Sequence, residues 1–267
     1  MPLISVLLPV HNAEKTIERA VDSIINQTFS DWELIICDDG SVDSTYNILC
    51  KKYINSDDRI HIIRNVSNKG IVYTLNKCIQ ASHGRYIARM DADDISKPVR
   101  LEIEITFLRS NLEFSIVSSR AECFDELGAY RILGKEGEIR SIDMITGRNT
   151  YIHPATMLYA DALRFVNGYD MQYNRTRNED SDLFFRLAHN GFRGYVLDDV
   201  LLSYYDSRIT PKQQNLQNRF SSSKIIMRWI YEFKFPLWYV IFSFKFLILG
   251  ILPKRIYYYL HFRDFHR

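Results

Sequence analysis

The apolar positions of this chain follow two alternating rhythms. Residues 3–10, Leu-Ile-Ser-Val-Leu-Leu-Pro-Val, form a short run rich in branched side chains, as a strand covered on both faces requires. Pro9 has no N–H to continue a ladder and places the strand end there. Over residues 13–26 the spacing changes: Ile17, Ala20, Val21, Ile24 and Ile25 make the stripe of an amphipathic helix. Residues 32–37 predict a second strand, 45–53 a helix that Asp43 or Ser44 is placed to cap, and 60–64 a third strand. A turn at Asn68-Lys69-Gly70 leads into a third helix over 71–82, and 86–90 is a fourth strand.

Strands alternating with helices at this spacing predict an α/β fold with a doubly wound, mostly parallel sheet. In such sheets ligands bind outside the carboxyl ends of the strands. His11-Asn12, Asp38-Asp39, Asn68-Lys69 and residues 91–94 each follow a strand, so four polar loops are expected to converge on one edge. After Pro98 the pattern loosens. Residues 99–111 read as a helix, 114–123 alternate like a strand, and 134–149 are polar and expected to be mobile. Glu179, Asp180 and Asp182 then open a helix with an apolar face at Leu183, Phe184 and Leu187. Capping alone accounts for such an acidic turn, because a helix N-terminus favours carboxylates.

Composition adds limits. With 267 residues, 46% hydrophobic and 25% charged, the chain can bury a large core and is not a disordered segment. The start, Met1-Pro2-Leu3-Ile4, has no basic stretch followed by an apolar one, so no secretory signal is expected. Cys37, Cys50, Cys78 and Cys123 lack metal-ligand spacing and read as reduced thiols of a cytoplasmic protein.

The net charge of +2 conceals an asymmetry: residues 208–267 carry eleven Lys/Arg against Glu232 and Asp264, while residues 1–207 carry 23 basic and 30 acidic side chains. We therefore expect a domain over 1–207, with a nucleotide-binding half (1–98) and an acceptor-binding half (99–207), then a basic, aromatic, helical tail over 208–267. The apolar run of that tail falls short of the ~20 residues of a membrane span. It also holds Lys245, at about 2.5–3.5 kcal/mol for insertion. A C-terminal helical, membrane-associating extension lying at the interface fits better, with Lys254, Arg255, Arg263 and Arg267 against anionic lipid. A helical hairpin packed on the body, or a dimer interface, is the other reading. The aromatics form a continuous apolar block, which favours lipid over nucleic acid.

The densest chemistry is Asp91-Ala92-Asp93-Asp94, three carboxylates within four residues at a strand end. Their mutual repulsion is relieved by a divalent cation or strong donors, and a solvated turn is the plainer alternative. Taken with Ser5-Val6-Leu7-Leu8-Pro9-Val10-His11-Asn12, Asp38-Asp39-Gly40-Ser41, Asn68-Lys69-Gly70 and Glu179-Asp180 before a helix carrying Arg186, the chain resembles the family 2 inverting glycosyltransferases of bacterial surface polysaccharides over about residues 3–205. That family has the GT-A, Rossmann-like nucleotide-diphospho-sugar transferase fold.

The resemblance implies a UDP-sugar donor, a saccharide acceptor on a polyprenyl diphosphate, and no nucleic-acid partner. It implies that Pro9, Val10, His11 and Glu14 line the nucleotide. Asp38 or Asp39 would meet base and ribose, since a carboxylate accepting the uracil imide N–H rejects cytosine. Lys69 would lie near base or pyrophosphate, Asp91 and Ala92 on the ribose or sugar side, and Asp93 on a Mn²⁺ or Mg²⁺ ion bridging the diphosphate. Asp180, with Glu179 beside it, would take the acceptor proton.

His153, Asp182 and Arg208 are possible acceptor or phosphate contacts. A structural histidine is an equal reading for His153. Arg208 would stand in for a histidine that the family carries near the domain end and this chain lacks. The implied location is peripheral, on the cytoplasmic face of the cell membrane. A nucleotidyltransferase of the same fold would want a Gly-rich phosphate loop where this chain has His11-Asn12-Ala13-Glu14. A non-catalytic membrane scaffold would not need Asp91, Asp93 and Asp180 together.

Overall fold

The computed structural model describes residues 1–174, 176, 178–208 and 216–245. Strands are β1 (Ile4–Val10), β2 (Trp32–Asp38), β3 (Ile60–Arg64), β4 (Tyr86–Arg89), β5 (Ile95–Ser96), β6 (Ile116–Asp125), β7 (Gly128–Leu133), β8 (Gly137–Ile139), β9 (Thr156–Tyr159) and β10 (Gly194–Tyr205). Helices are α1 (Ile17–Ile25), α2 (Thr45–Tyr53), α3 (Ile71–Ala81), α4 (Arg100–Ser110), α5 (Ser141–Thr146), α6 (Ala160–Phe165), α7 (Glu179–His189) and α8 (Leu216–Glu232).

One sheet runs through the molecule in the order β3-β2-β1-β4-β9-β6-β10-β5, with β7 added on β6 and β8 on β10. β1, β2, β3 and β4 pair in parallel, as the alternating pattern predicts, and β6 pairs in parallel with β10. β9 runs antiparallel to both neighbours and welds the two halves together.

Every residue of β1 and β2 is buried because both faces are covered. Leu7 and Ile35 face α3 through Val72, Leu75 and Cys78; Val6, Leu8, Leu34 and Ile36 face α1 through Ile17, Val21 and Ile24. All four cysteines are unpaired, and three of them are buried.

One expectation needs correction. The stretch 134–149 is ordered: β8 pairs with β10, and α5 buries Met144 and Ile145, contacts that a polar pattern interrupted by Gly134, Gly137 and Gly147 does not advertise. Of the segment beyond 207, the part described over 216–232 follows the reading in which it packs on the body. α8 packs on α7 and α5 and buries Ile225, Ile226, Trp229 and Ile230, with Trp229 stacked on Phe185 at 5.6 Å. No described helix is long and apolar enough to cross a membrane. Lys254, Arg255, Arg263 and Arg267 lie outside the described residues.

Candidate active site

Two cavities open along the carboxyl edge of the sheet. The smaller, about 600 Å³, is lined by Pro9, His11, Glu14, Arg19, Asp91, Ala92, Asp93 and Tyr205 among others. The larger, about 1090 Å³, takes in Arg89, Asp91, Tyr151, His153, Glu179, Asp180, Tyr204 and Asp206. Asp91 and Ile71 belong to both, so the cavities meet at the first carboxylate after β4.

The loops that build the smaller cavity are tied by side-chain bonds. Asn12, in the left-handed region at φ 51°, accepts the Val42 N–H at 3.0 Å, and its own N–H donates to Ser41 Oγ at 2.9 Å. Glu14 accepts the Ser44 N–H at 2.9 Å. Asp43 rather than Ser44 opens α2, accepting the Thr45 N–H at 3.0 Å. Pro9, His11, Glu14, Asp91, Ala92 and Asp93 thus line one cavity.

Val10, Asp38, Asp39 and Lys69 do not line either cavity. Asp38 is fully buried, accepting from Arg64 Nε at 3.0 Å and from the Ser41 N–H. Asp39 accepts Asn65 Nδ2, the Lys69 N–H and the Gly70 N–H, each at 2.8 Å. Both carboxylates therefore hold loops in place. Asp39 fixes the turn that ends at Gly70, whose φ of 92° and backbone approach to the Asn174 amide leave no room for a Cβ.

Asp91, Asp93 and Asp94 offer carboxylate oxygens all within 4.8 Å of one another. Asp94 is buried, accepts the Tyr205 N–H at 2.9 Å through one oxygen, and has no hydrogen-bond partner for the other. Burial, then the Asp91 and Asp93 charges, push its carboxyl well above the ordinary value. A buried oxygen without a donor beside two further carboxylates is what a hard divalent cation relieves, so these residues fit Mn²⁺ or Mg²⁺.

On the other side, Arg89 pairs with Asp91 at 2.6 Å. Burial works against the guanidinium charge, and the Asp91 carboxylate more than offsets it, so Arg89 is held charged. Glu179 and Asp180 open α7. Burial first and the neighbouring Asp180 charge second push Glu179 up to about 7, and burial raises Asp180. Asp180 accepts the Ser181 N–H at 2.7 Å, while Glu179 Oε2 is buried without a partner. A carboxylate pair whose proton affinity is drawn toward neutrality is suited to general base work.

α8 helps place this pair. Asn178, just before it, donates to the Asn218 carbonyl at 3.3 Å and accepts Ser222 Oγ–H at 2.5 Å.

The three possible contacts are placed as follows. His153 lines the larger cavity but is 93% buried, with Nε2 2.7 Å from the Tyr169 hydroxyl; burial and the Arg89 charge hold it well below its ordinary pKa, hence neutral. Asp182 is a correction: it points inward, fully buried, bonded to Arg186 Nε at 2.6 Å and 3.9 Å from Arg228 Nη1, so it fastens α7 to α8. On a helix it lies two residues from Asp180 and so on another face. Arg208 is likewise held away from the cavities, forked onto Asp125 at 2.6 and 2.7 Å.

The sequence profile of the family described as "Glycosyl transferase family 2" matches residues 5–183. The glycosyltransferase EpsE of Bacillus subtilis is 33% identical over 258 residues, covering 96% of this chain and 91% of that protein. The chain is a family 2 glycosyltransferase. The teichuronic acid biosynthesis glycosyltransferase TuaG of B. subtilis is 30% identical over 217 residues, covering 76% of this chain and 79% of that one.

Among solved structures, the fold of this transferase is similar to residues 1–349 of S. aureus TarS in complex with UDP-GlcNAc (TM-score 0.75, 16% identity, 98% and 80% of the two chains). It is also similar to a mannosyltransferase of Pyrobaculum calidifontis bound to GDP-Man and Mn²⁺ (TM-score 0.65, 14% identity, 98% and 79%). The GT-A-like fold is thereby shown. Family membership sets aside both the nucleotidyltransferase and the non-catalytic scaffold.

The sequence reading missed Arg19. From α1 it reaches across to donate to the Asp93 carbonyl at 2.8 Å, with its guanidinium 5.2 and 5.6 Å from the rings of Phe124 and Tyr205. In the sequence it is one polar residue on a helix, with nothing to mark its partner 74 positions on. Arg19→Met in this transferase should raise the Mn²⁺ concentration for half-maximal activity roughly tenfold, the equivalent of one charged hydrogen bond. A metal titration of the rate checks it, and an unchanged midpoint would assign Arg19 to packing alone.

Proposed function

We propose that this enzyme is an inverting transferase that moves a hexose or N-acetylhexosamine from a UDP-sugar to a saccharide acceptor, lipid-linked through a polyprenyl diphosphate, in cell-surface polysaccharide synthesis. The observation that carries the reading is the junction at Asp91 of a cavity ending in Asp93 with a cavity ending in Glu179 and Asp180. The UDP moiety is assigned to the first, with Pro9, His11, Glu14 and Ala92 around it and Val10, Asp38, Asp39 and Lys69 supporting the walls. The acceptor is assigned to the second, near His153.

A Mn²⁺ or Mg²⁺ ion held by Asp93, with Asp91 and Asp94 beside it, would supply charge neutralisation to the departing diphosphate. The acceptor hydroxyl attacks the anomeric carbon from the face opposite UDP. Its oxygen forms the new glycosidic bond while the bond to the UDP oxygen breaks and that electron pair leaves with UDP. The hydroxyl proton passes to Asp180, with Glu179 sharing the charge. An α-linked donor then yields a β-linkage.

Peripheral attachment to the cytoplasmic face of the membrane is supported by the exposure of Leu237, Trp238, Ile241 and Phe244 on the segment after α8. The other face of α8 is engaged with the body, so attachment rests on this segment and the residues beyond it.

The decisive assay is UDP release from a panel of UDP-sugars with Mn²⁺ or Mg²⁺. The reading expects turnover with at least one member and abolition by a chelator. Asp93→Ala should lower the metal-stimulated rate roughly 10²–10³-fold, the several kcal/mol that a metal contributes to a leaving group. Metal-independent turnover at full rate in that variant would remove Asp93 from the ion.

A further inference from the structure

The larger cavity is lined by the carboxylates of Asp91, Glu179, Asp180 and Asp206 and by cations, of which Arg89 is buried against Asp91 while Lys135 and Arg148 are exposed. Of the cations nearby, Arg131 lies 3.5 Å from Asp206 and Arg140 pairs with Asp143 at 2.9 Å. Lys135 and Arg148, both exposed, form no ion pair with a described carboxylate. Asn149 Nδ2 donates to the Lys135 carbonyl at 2.7 Å and keeps the two stretches side by side.

A third cation arrives from far along the chain. Lys245 Nζ lies 3.5 Å from where a Cβ on Gly147 would stand, next to Arg148, and it too is exposed without a described carboxylate partner. The same short segment leaves Leu237, Trp238, Ile241 and Phe244 exposed at 78, 62, 66 and 49%. Two exposed cations that line the cavity, a third beside Gly147 of that lining, and exposed apolar residues on the same segment as the third match an anion that carries a long apolar chain.

We propose that Lys135, Arg148 and Lys245 form a subsite for the acceptor's diphosphate, whose isoprenoid chain runs on across Trp238, Ile241 and Phe244 while its sugar reaches toward Glu179 and Asp180. This rests on the transferase reading above and assigns residues to its acceptor side. It also gives Lys245, which stands beside Gly147 of the cavity lining, a role at the site.

The test uses the full chain with saturating UDP and Mg²⁺, so that the donor cavity is filled, and titrates farnesyl diphosphate as the probe by calorimetry. Farnesol, inorganic pyrophosphate and vesicles containing phosphatidylglycerol form parallel arms. The triple variant Lys135→Glu, Arg148→Glu, Lys245→Glu should weaken farnesyl diphosphate at least tenfold with UDP affinity unchanged, which also reports that it is folded. Lys245→Ala alone should weaken it about threefold. Trp238→Ala with Ile241→Ala should weaken farnesyl diphosphate and leave pyrophosphate unaffected.

Unchanged farnesyl diphosphate binding in the triple variant overturns the subsite, as does its displacement of UDP. Loss of vesicle binding alone, with no farnesyl diphosphate binding to the wild type, transfers these cations to membrane headgroups and overturns it equally. Failure of UDP to bind the wild type overturns the donor reading, and this inference falls with it.

Discussion

Asp180→Asn in the intact enzyme should turn over about 10²–10⁴-fold more slowly, the span attributable to a positioned general base. UDP affinity should not move, because Asp180 lines only the larger cavity. The pH dependence gives the sharper reading. In the proposed mechanism the pair works ionised, and burial with mutual repulsion places Glu179 at about 7, so the wild-type rate should fall as pH drops through about 7. In Asp180→Asn the repelling charge is gone and Glu179 titrates lower, so the residual activity should keep its rate to a more acidic pH. A variant with near wild-type turnover, or an acid limb that stays where it was, would take the base role from Asp180.

The second large effect concerns stability. Arg100 and Glu104, one turn apart on α4, are both fully buried and bonded at 3.0 Å. Arg100 also donates to the Arg89 carbonyl at 2.9 Å and to the Thr156 carbonyl at 3.4 Å, joining α4 to β4 and β9. Arg100→Met leaves a buried carboxyl unpaired and should destabilise the protein by about 3–5 kcal/mol. That corresponds to a fall in Tm of roughly 6–20 °C in a thermal melt.

The sign with pH follows from Glu104. Burial, against the opposing pull of Arg100, lifts it to about 7, above its unfolded value near 4.5. A raised carboxyl binds its proton better in the folded state, so stability declines from about pH 4.5 to about 7. Without Arg100 the carboxyl rises further. The loss in Arg100→Met should therefore be smaller at pH 5 than at pH 8. Replacing both residues by leucine should recover most of it, short of the two carbonyls left without a donor. Equal melting temperatures for Arg100→Met and wild type at pH 8 would show the pair to be dispensable.

The sequence announces what is locally encoded. β1 through β4 and α1 through α3 are legible because each carries its own period, and their loops must then fall on one edge. It is less informative where a residue's role depends on a partner far along the chain. Asp39 reads as a candidate for a nucleotide base, yet its oxygens serve Asn65 and the Lys69-Gly70 backbone.

Asp182 shares an acidic turn with Asp180, and only the helix phase and the docking of α8 separate their fates. α8 reads as the start of a basic tail; that its Trp229 meets Phe185 is a tertiary fact with no local signal. β5 is two residues long and exists because Leu202 and Ser203 of β10 pair with it.

That dependence on late-arriving partners bears on how the protein is made. β4 is paired on one side by β1 and on the other by β9, some seventy residues downstream, and β5 waits for β10 more than a hundred residues on. Sequence halves are thus not folding halves. As synthesis proceeds, the β1 to β4 layer emerges with an apolar, unpaired edge that can be covered only after residue 159 has followed it. The contacts are non-local, so folding should be slow for a chain of this size and exposed to intermolecular strand pairing until β9 inserts. The antiparallel strand that follows directly on His153 is thus the stitch that joins the two halves of the sheet.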